Sequence, residues 1–123
     1  MRGGVHHIDL TVKDARVSRP FYEAVLGFMG YQLGTLYPDG YCDFDLNGTR
    51  FCSIGIRGES GPNAGRKHDR YTPGLHHLAW NAESRADVEA LYALLQRIGA
   101  TVLDPPADYP QYGAGYYAVF FAD

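Results

Sequence analysis

Two stretches of the chain, Gly4–Leu10 (GVHHIDL) and Gly74–Trp80 (GLHHLAW), share a glycine followed by two adjacent histidines. The spacing between the two histidine pairs also separates Tyr22 from Tyr92. Four apolar pairs keep the same spacing: Ile8 with Leu78, Leu10 with Trp80, Phe21 with Leu91 and Val25 with Leu95. Any strand followed by an amphipathic helix produces some likeness of this kind. The paired histidines and the tyrosine favour an internal duplication, which would make the chain two copies of one supersecondary unit.

Each copy opens with polar and apolar residues in alternation. The first copy sets three apolar residues against three polar ones, Ile8, Leu10 and Val12 against His7, Asp9 and Thr11. The second copy follows the same pattern, with Leu78, Trp80 and Ala82 against His77, Ala79 and Asn81. A period of two predicts a half-buried strand in each copy. The less apolar face then carries His7 and His77, and the opposite face carries His6 and His76, where they only pack or cap.

A helix is predicted after each opening strand. In the second copy Ser84 is a suitable N-cap with Asp87 three residues on, and Gly99 ends the apolar stripe. In the first copy Pro20 is tolerated only in the first turn of a helix, so the predicted start lies between Asp14 and Ser18.

The first helix is followed by three predicted strands, the last two joined at Asn47–Gly48, a strong signal for a two-residue hairpin turn. That turn would pair Asp45 with Arg50 and Asp43 with Cys52. One face would then carry five residues, Asp43, Asp45, Arg50, Cys52 and Ile54. In this register Cys42 and Cys52 point apart, which disfavours a disulfide.

The connector at about residues 58–73 has no periodicity and contains a short run of basic residues, Arg66, Lys67, His68 and Arg70. Such a run is either a solvated surface or a contact for an anionic ligand. Two strands are predicted after the second helix. The element order is therefore βαβββ in module 1 (about 4–57) and βαββ in module 2 (about 74–123), an α+β class within one domain spanning 1–123.

The composition narrows the classes of function. A length of 123 residues with 46% hydrophobic residues suits one folded domain. A net charge of −3 and a pI near 5.9 argue against nucleic-acid binding. We expect no membrane span, because there is no long uninterrupted apolar run, and the two cysteines fit a reducing cytoplasm.

Five segments together resemble the vicinal oxygen chelate superfamily, which includes glyoxalase I, bleomycin-resistance proteins, fosfomycin-resistance enzymes and extradiol dioxygenases. They are HHIDLTVKD, SRPFYEAVLGFMGY, LHHLAW, VEALYALLQRIGATVLDPP and YPQYGAGYYAVFFAD. The resemblance implies two pseudo-symmetric βαβββ modules, the second incomplete here. Their mixed sheet would curl around a cavity with the helices outside, often completed across a homodimer.

The resemblance also implies a metal site. In metal-using members the opening-strand histidine of each module is a ligand, which corresponds to His7 and His77 here. Glyoxalase I adds a glutamate from the fourth strand of module 1, where this chain has Arg50, Cys52 and Ile54. A further carboxylate follows the segment FFAD in relatives, and we expect the natural chain to continue past Asp123 into that strand.

The other candidate ligand contacts are Asp45, Arg50 and Cys52 on the fourth-strand hairpin, and a tyrosine group, Tyr112, Tyr116 and Tyr117. Asp43 and Asp9 are further polar groups of the same face. Each has a plainer interpretation: a cross-strand ion pair for Asp45 with Arg50, an inert thiol for Cys52, and core or dimer contacts for the tyrosines.

Two functions follow from these expectations. The first is a metal-dependent lyase, isomerase, transferase or dioxygenase that chelates a small oxygen-rich substrate to Fe, Zn, Mn or Ni. Glyoxalase I activity itself is disfavoured by the missing fourth-strand glutamate. The alternative is a metal-free ligand-binding protein of the bleomycin-resistance kind. The two histidines favour the first.

Overall fold

The structure, a computed structural model, describes residues 2–48 and 52–123. The predicted positions of Arg50 and of the hairpin pairs at 49–51 lie outside these residues. The chain forms two compact units. The first runs to Ala64 and includes Asp123, and the second comprises Gly65–Ala122.

The first unit has the predicted βαβββ order. Its elements are β1 (His7–Val12), α1 (Ala15–Phe28), β2 (Tyr31–Leu36), β3 (Cys42–Leu46) and β4 (Ser53–Gly58). The strands form one mixed sheet in the order β1-β4-β3-β2. β1 runs parallel to β4, while β3 is antiparallel to both β4 and β2.

One face of this sheet is apolar and forms the core of the first unit. The side chains buried there come from α1 and the two central strands, and they include Val25, Leu26, Cys42, Phe44, Ile54 and Ile56. α1 begins at the N-terminal end of the predicted range, because the Asp14 carboxylate caps it by accepting from the Arg16 backbone N–H at 2.8 Å. Pro20 therefore lies inside the helix, and the expectation that it belongs to the first turn is wrong. Burial raises the pKa of the Cys42 thiol, and both cysteines are free, as expected.

The predicted hairpin register is wrong. Asp43 pairs with Gly55 rather than with Cys52, and Phe44 pairs with Ile54. This is a shift of three residues, and an odd shift moves side chains to the other face. Ile54 therefore lies on the core face with Phe44, not beside Asp43. Burial of Ile54 and Ile56 against the helix outweighs the local turn preference at Asn47–Gly48.

The second unit contains α2 (Arg85–Arg97), β5 (Thr101–Asp108), a single 3-10 turn (Pro110–Tyr112) and β6 (Tyr117–Ala122). The boundaries of α2 match the prediction. Ser84 Oγ accepts from the Asp87 N–H at 3.1 Å, and the Asp87 carboxylate accepts from the Glu83 N–H at 3.0 Å. Gly99 follows the helix with a φ of 70°. The core of the second unit consists of Val88, Leu91 and Leu95.

The predicted opening strand of the second copy is not formed. Residues 75–82 belong to no strand, and β5 and β6 make a separate two-stranded antiparallel sheet. The first unit shows the physical reason. There the opening strand β1 pairs only with the fourth strand β4. In the second unit only two strands follow the helix, so residues 75–82 have no equivalent of β4 to pair with.

The described strands do not close into one cavity-enclosing sheet as the resemblance implied; they form an open four-stranded sheet and a two-stranded one. The connector after β4 contains turns but no helix or strand, as predicted. Within the described residues, neither helix has the length and apolar character that crossing a bilayer requires.

Candidate active site

The face of the four-stranded sheet opposite the core is polar, and its side chains form rows across the strands. Residues paired by register share a face, so His7 of β1 lies beside Ser53 of β4. The next row places Asp9 beside Gly55 and Asp43. We call this surface the polar face. It contains His7, Asp9, Asp43, Asp45, Ser53 and Arg57, with Tyr41 at the start of β3.

An ionic network occupies one end of the polar face. Arg57 donates to the Asp9 carboxylate at 3.0 Å, and its guanidinium lies 4.5 Å from the centre of the Tyr41 ring. The Tyr41 hydroxyl donates to Asp43 at 2.5 Å. The guanidinium thus joins the Asp9 carboxylate to the Tyr41 ring, and the Tyr41 hydroxyl extends the network to Asp43.

A second contact lies nearer His7. The Ser53 hydroxyl donates to the Asp45 carboxylate at 2.6 Å, and Ser53 is 7% exposed. Asp45 therefore has a described partner on β4 in Ser53, whereas the predicted partner, Arg50, is not described. Asp45 is half-buried, and a carboxylate has about four lone-pair sites, of which the described contact with Ser53 uses one.

Two glycines allow the carboxylates to lie flat on the sheet. A Cβ added to Gly55 would overlap the Asp9 carboxylate and lie 3.2 Å from the Tyr41 hydroxyl. A Cβ added to Gly34 would lie 2.6 Å from Asp45 Oδ2. Glycine inside a strand often marks close approach of another group. At these two positions the missing side chain leaves room on the polar face for the carboxylates of Asp9 and Asp45.

The predicted metal ligands His7 and His77 are both exposed and lie in different units. The prediction that their neighbours point away is wrong. His6 Nδ1 lies 2.9 Å from His7 Nδ1, and His76 Nδ1 lies 2.7 Å from His77 Nδ1. His6 precedes β1 and His76 lies outside any strand, so strand alternation constrains neither side chain.

Cys52 does not lie on β4. It precedes the strand with a φ of 57°, and its thiol donates to the Val5 carbonyl at 3.3 Å. Within the described residues, no group of three or more histidine, cysteine, aspartate or glutamate side chains is arranged to hold a metal ion.

The three predicted tyrosines all lie in the second unit and have different surroundings. Tyr112 and Tyr116 are 64% and 40% exposed, with ring centres 5.5 Å apart. Tyr117 is held by α2, because its hydroxyl donates to Glu89 and the Arg85 guanidinium lies 4.7 Å from its ring centre. The hydrogen bond to Glu89 raises the pKa of Tyr117. Tyr112 and Tyr116 are the more exposed of the three, and Tyr117 is half-buried.

Sequence reasoning missed Tyr41, Ser53, Gly55 and Arg57. The signal was present in Ser53–Arg57 (SIGIR), where isoleucines alternate with non-apolar residues. Placing both isoleucines in the core turns the other three residues towards the polar face. The hairpin signal at Asn47–Gly48 led to a different register.

The phenol of Tyr41 provides a test of the network. Burial and the hydrogen bond to Asp43 raise the pKa of Tyr41 to about 12. We expect its tyrosinate to form well above the ordinary pH of about 10, and the substitution Asp43→Asn to lower that pKa. Folding favours the protonated phenol, so this contribution to stability is complete below pH 10 and disappears as the pH rises from 10 to 12.

The measurement is the tyrosinate absorbance of the protein minus that of a Tyr41→Phe variant as a function of pH. If the difference spectrum titrates at the ordinary pH in both the parent and the Asp43→Asn background, the Tyr41–Asp43 hydrogen bond does not exist in solution.

Comparison with known proteins agrees with this architecture. The family described as glyoxalase/bleomycin resistance protein/dioxygenase superfamily matches residues 4–123. The chain belongs to this superfamily. The protein YqjT of Bacillus subtilis (strain 168), which has no assigned activity, is 31% identical over 119 residues, covering 97% of this chain and 90% of YqjT.

Two solved structures of superfamily proteins share the fold. A Bacillus halodurans protein provisionally described as a glyoxalase superposes with a TM-score of 0.81 at 24% identity, covering 99% of this chain and 89% of that one. Lactoylglutathione lyase from Agrobacterium tumefaciens gives a TM-score of 0.62 at 18% identity, with coverage of 98% and 86%. At these identities the likeness concerns the fold alone.

Proposed function

We propose that the protein is a metal-dependent enzyme of the glyoxalase superfamily that binds a small, oxygen-rich substrate on the polar face. The observation that carries the proposal is the arrangement of this face, where an exposed histidine shares a row with Ser53 and neighbours an ordered set of carboxylates. His7 and His77 would be the protein ligands of a divalent metal such as Fe, Zn, Mn or Ni, and the reaction would be that of a lyase, isomerase, transferase or dioxygenase.

The donor chemistry of the polar face suits such a metal. A neutral imidazole is a common ligand for these ions, and the nearby oxygens of Ser53 and Asp45 are compatible donors. His7 and His77 would supply two of the ligands, which would leave the remaining coordination positions open for substrate oxygens. When bound, the metal would supply Lewis acidity towards the substrate oxygens.

The side chains of the polar face would select and orient the substrate. The three carboxylates of Asp9, Asp43 and Asp45 accept hydrogen bonds, so they favour a ligand that carries hydroxyl or amine donors. Arg57 compensates part of their charge and fixes Asp9. Tyr41 is a neutral donor at physiological pH, as any phenol with a pKa of about 10 or above is, and it holds Asp43 in place.

The metal content of the protein purified without chelators tests the proposal. We expect a stoichiometric divalent metal in the parent protein and its loss in both His7→Ala and His77→Ala. His68→Ala removes a histidine of the connector and is the matched control, which should retain the metal. A parent protein without metal, or variants that keep the full amount, would contradict the proposal.

A metal-free binding protein is the second candidate. It is favoured by one observation: Asp9 pairs with Arg57 and Asp43 accepts from Tyr41, so both carboxylates have partners that are side chains of the chain itself. The same variants separate the two functions. A ligand that binds equally well to the parent protein and to His7→Ala would support the binding protein.

A further inference from the structure

Both copies of the His-His dipeptide adopt one geometry. In the first unit the Nδ1 atoms of His6 and His7 are 2.9 Å apart and their rings meet edge to face, with centres 5.1 Å apart. In the second unit the Nδ1 atoms of His76 and His77 are 2.7 Å apart, with ring centres 5.0 Å apart. All four side chains are exposed.

This likeness does not follow from a shared backbone structure. His7 begins a strand that is paired with β4, whereas His76 and His77 lie in a segment without regular structure. The surroundings also differ, because His76 meets the edge of the Tyr71 ring at 5.4 Å. Two adjacent imidazoles thus turn the same nitrogen towards each other in two unrelated settings.

Two imidazole nitrogens at this distance cannot face each other with two unshared lone pairs. Both carry a lone pair in the plane of the ring unless protonated, so the contact requires either a proton between them or a cation bound to both. With metal–nitrogen bonds of about 2.0–2.1 Å, a separation of 2.9 Å corresponds to an angle of about 90° at the metal. A tetrahedral angle would need a separation of roughly 3.3 Å.

We propose that each dipeptide is a bidentate nitrogen donor, so that His6 and His76 are metal ligands in addition to His7 and His77. For the second pair a separation of 2.7 Å corresponds to an angle of about 80°. Angles of about 80–90° suit an octahedral or tetragonal ion such as Ni(II) or Cu(II) better than tetrahedral Zn(II). The inference rests on the proposed function only in that His7 and His77 are ligands in both.

Nickel binding by the full chain without an affinity tag tests the inference. The protein is stripped with a chelator, dialysed and titrated with NiCl2 by calorimetry, and its bound nickel is measured by elemental analysis. We expect His6→Ala and His76→Ala each to weaken nickel binding at least about tenfold or to abolish it, because each variant loses one of two chelating nitrogens. His68→Ala should bind as the parent does, and circular dichroism confirms that the variants are folded.

The outcomes separate this inference from the proposed function. Nickel binding that is abolished by His7→Ala or His77→Ala but unchanged in His6→Ala and His76→Ala overturns the inference and leaves the proposed function standing. Two equivalents of nickel, one lost with each pair, support the inference and contradict a site shared by His7 and His77. A parent protein that binds no nickel overturns the inference, because the Nδ1 contacts then hold only a proton. The metal content of the protein as purified decides the proposed function separately.

Discussion

Replacing Phe44 by alanine is expected to lower the free energy of unfolding of the first unit by about 3–5 kcal/mol. Phe44 is 1% exposed and occupies the centre of the four-stranded sheet, paired with Leu33 on one side and Ile54 on the other. Removing the ring loses its burial and leaves a cavity that the strands on both sides cannot fill without changing register.

Urea denaturation of the parent and the variant, followed by circular dichroism, measures the effect. Val17→Ala is the control, because Val17 lies on α1 and is 75% exposed, and its change should stay within about 0.5 kcal/mol. Equal midpoints for Phe44→Ala and the parent would mean that Phe44 is not in the core, and the register of β3 with β4 would then be wrong.

Replacing Gly55 by alanine is expected to displace the Asp9 carboxylate and to cost about 1–3 kcal/mol of stability. The new methyl group would overlap that carboxylate and lie 3.1 Å from Asp9 Cγ and 3.2 Å from the Tyr41 hydroxyl. Asp9 pairs with Arg57 at 3.0 Å, so a displaced carboxylate would disturb that ion pair. The exposed ion pair itself contributes little to stability, so most of the expected loss of stability comes from steric crowding.

Gly58→Ala is the matched control on the same strand. A Cβ there would have no neighbour closer than 3.8 Å, so we expect unchanged or slightly higher stability. A double-mutant cycle identifies the cause. In an Asp9→Ala background the cost of Gly55→Ala should shrink, since the crowding carboxylate has been removed. An undiminished cost in that background would show that Asp9 does not lie over Gly55.

Helices were the most predictable part of the fold. The N-cap of α2 at Ser84 and its end before Gly99 both follow from local chemistry, because capping hydrogen bonds form between residues close in sequence. The same holds for the cap of α1 at Asp14. Local signals were less reliable for strands, since Asn47–Gly48 predicted a register that the core does not adopt.

The candidate site was predictable only in part. The alternation in β1 correctly separated Asp9 from Ile8 and Leu10, and β1 pairs as that alternation requires. The partner of Asp9 was missed, because Arg57 reaches the polar face only when β4 is in its true register. Tyr41 stands two residues before Asp43 and shares its face in either register, so it could have been found from the alternation of β3 alone. A residue's face depends on whether its strand has shifted by an odd or an even number of positions.

Short-range patterns were enough to predict the family, the βαβββ order of the first half, the helix boundaries and the duplicated histidines. Three features depend instead on packing between distant residues or on side-chain conformation: the register of β3 with β4, the lack of a strand at residues 75–82, and the contacts between His6 and His7 and between His76 and His77. Strand pairing joins residues distant in sequence, and burial of Ile54 and Ile56 selects among the possible partners. The GVHHIDL and GLHHLAW repeats therefore differ in structure: the first has β4 to pair with, and the second has no such neighbour among the strands described.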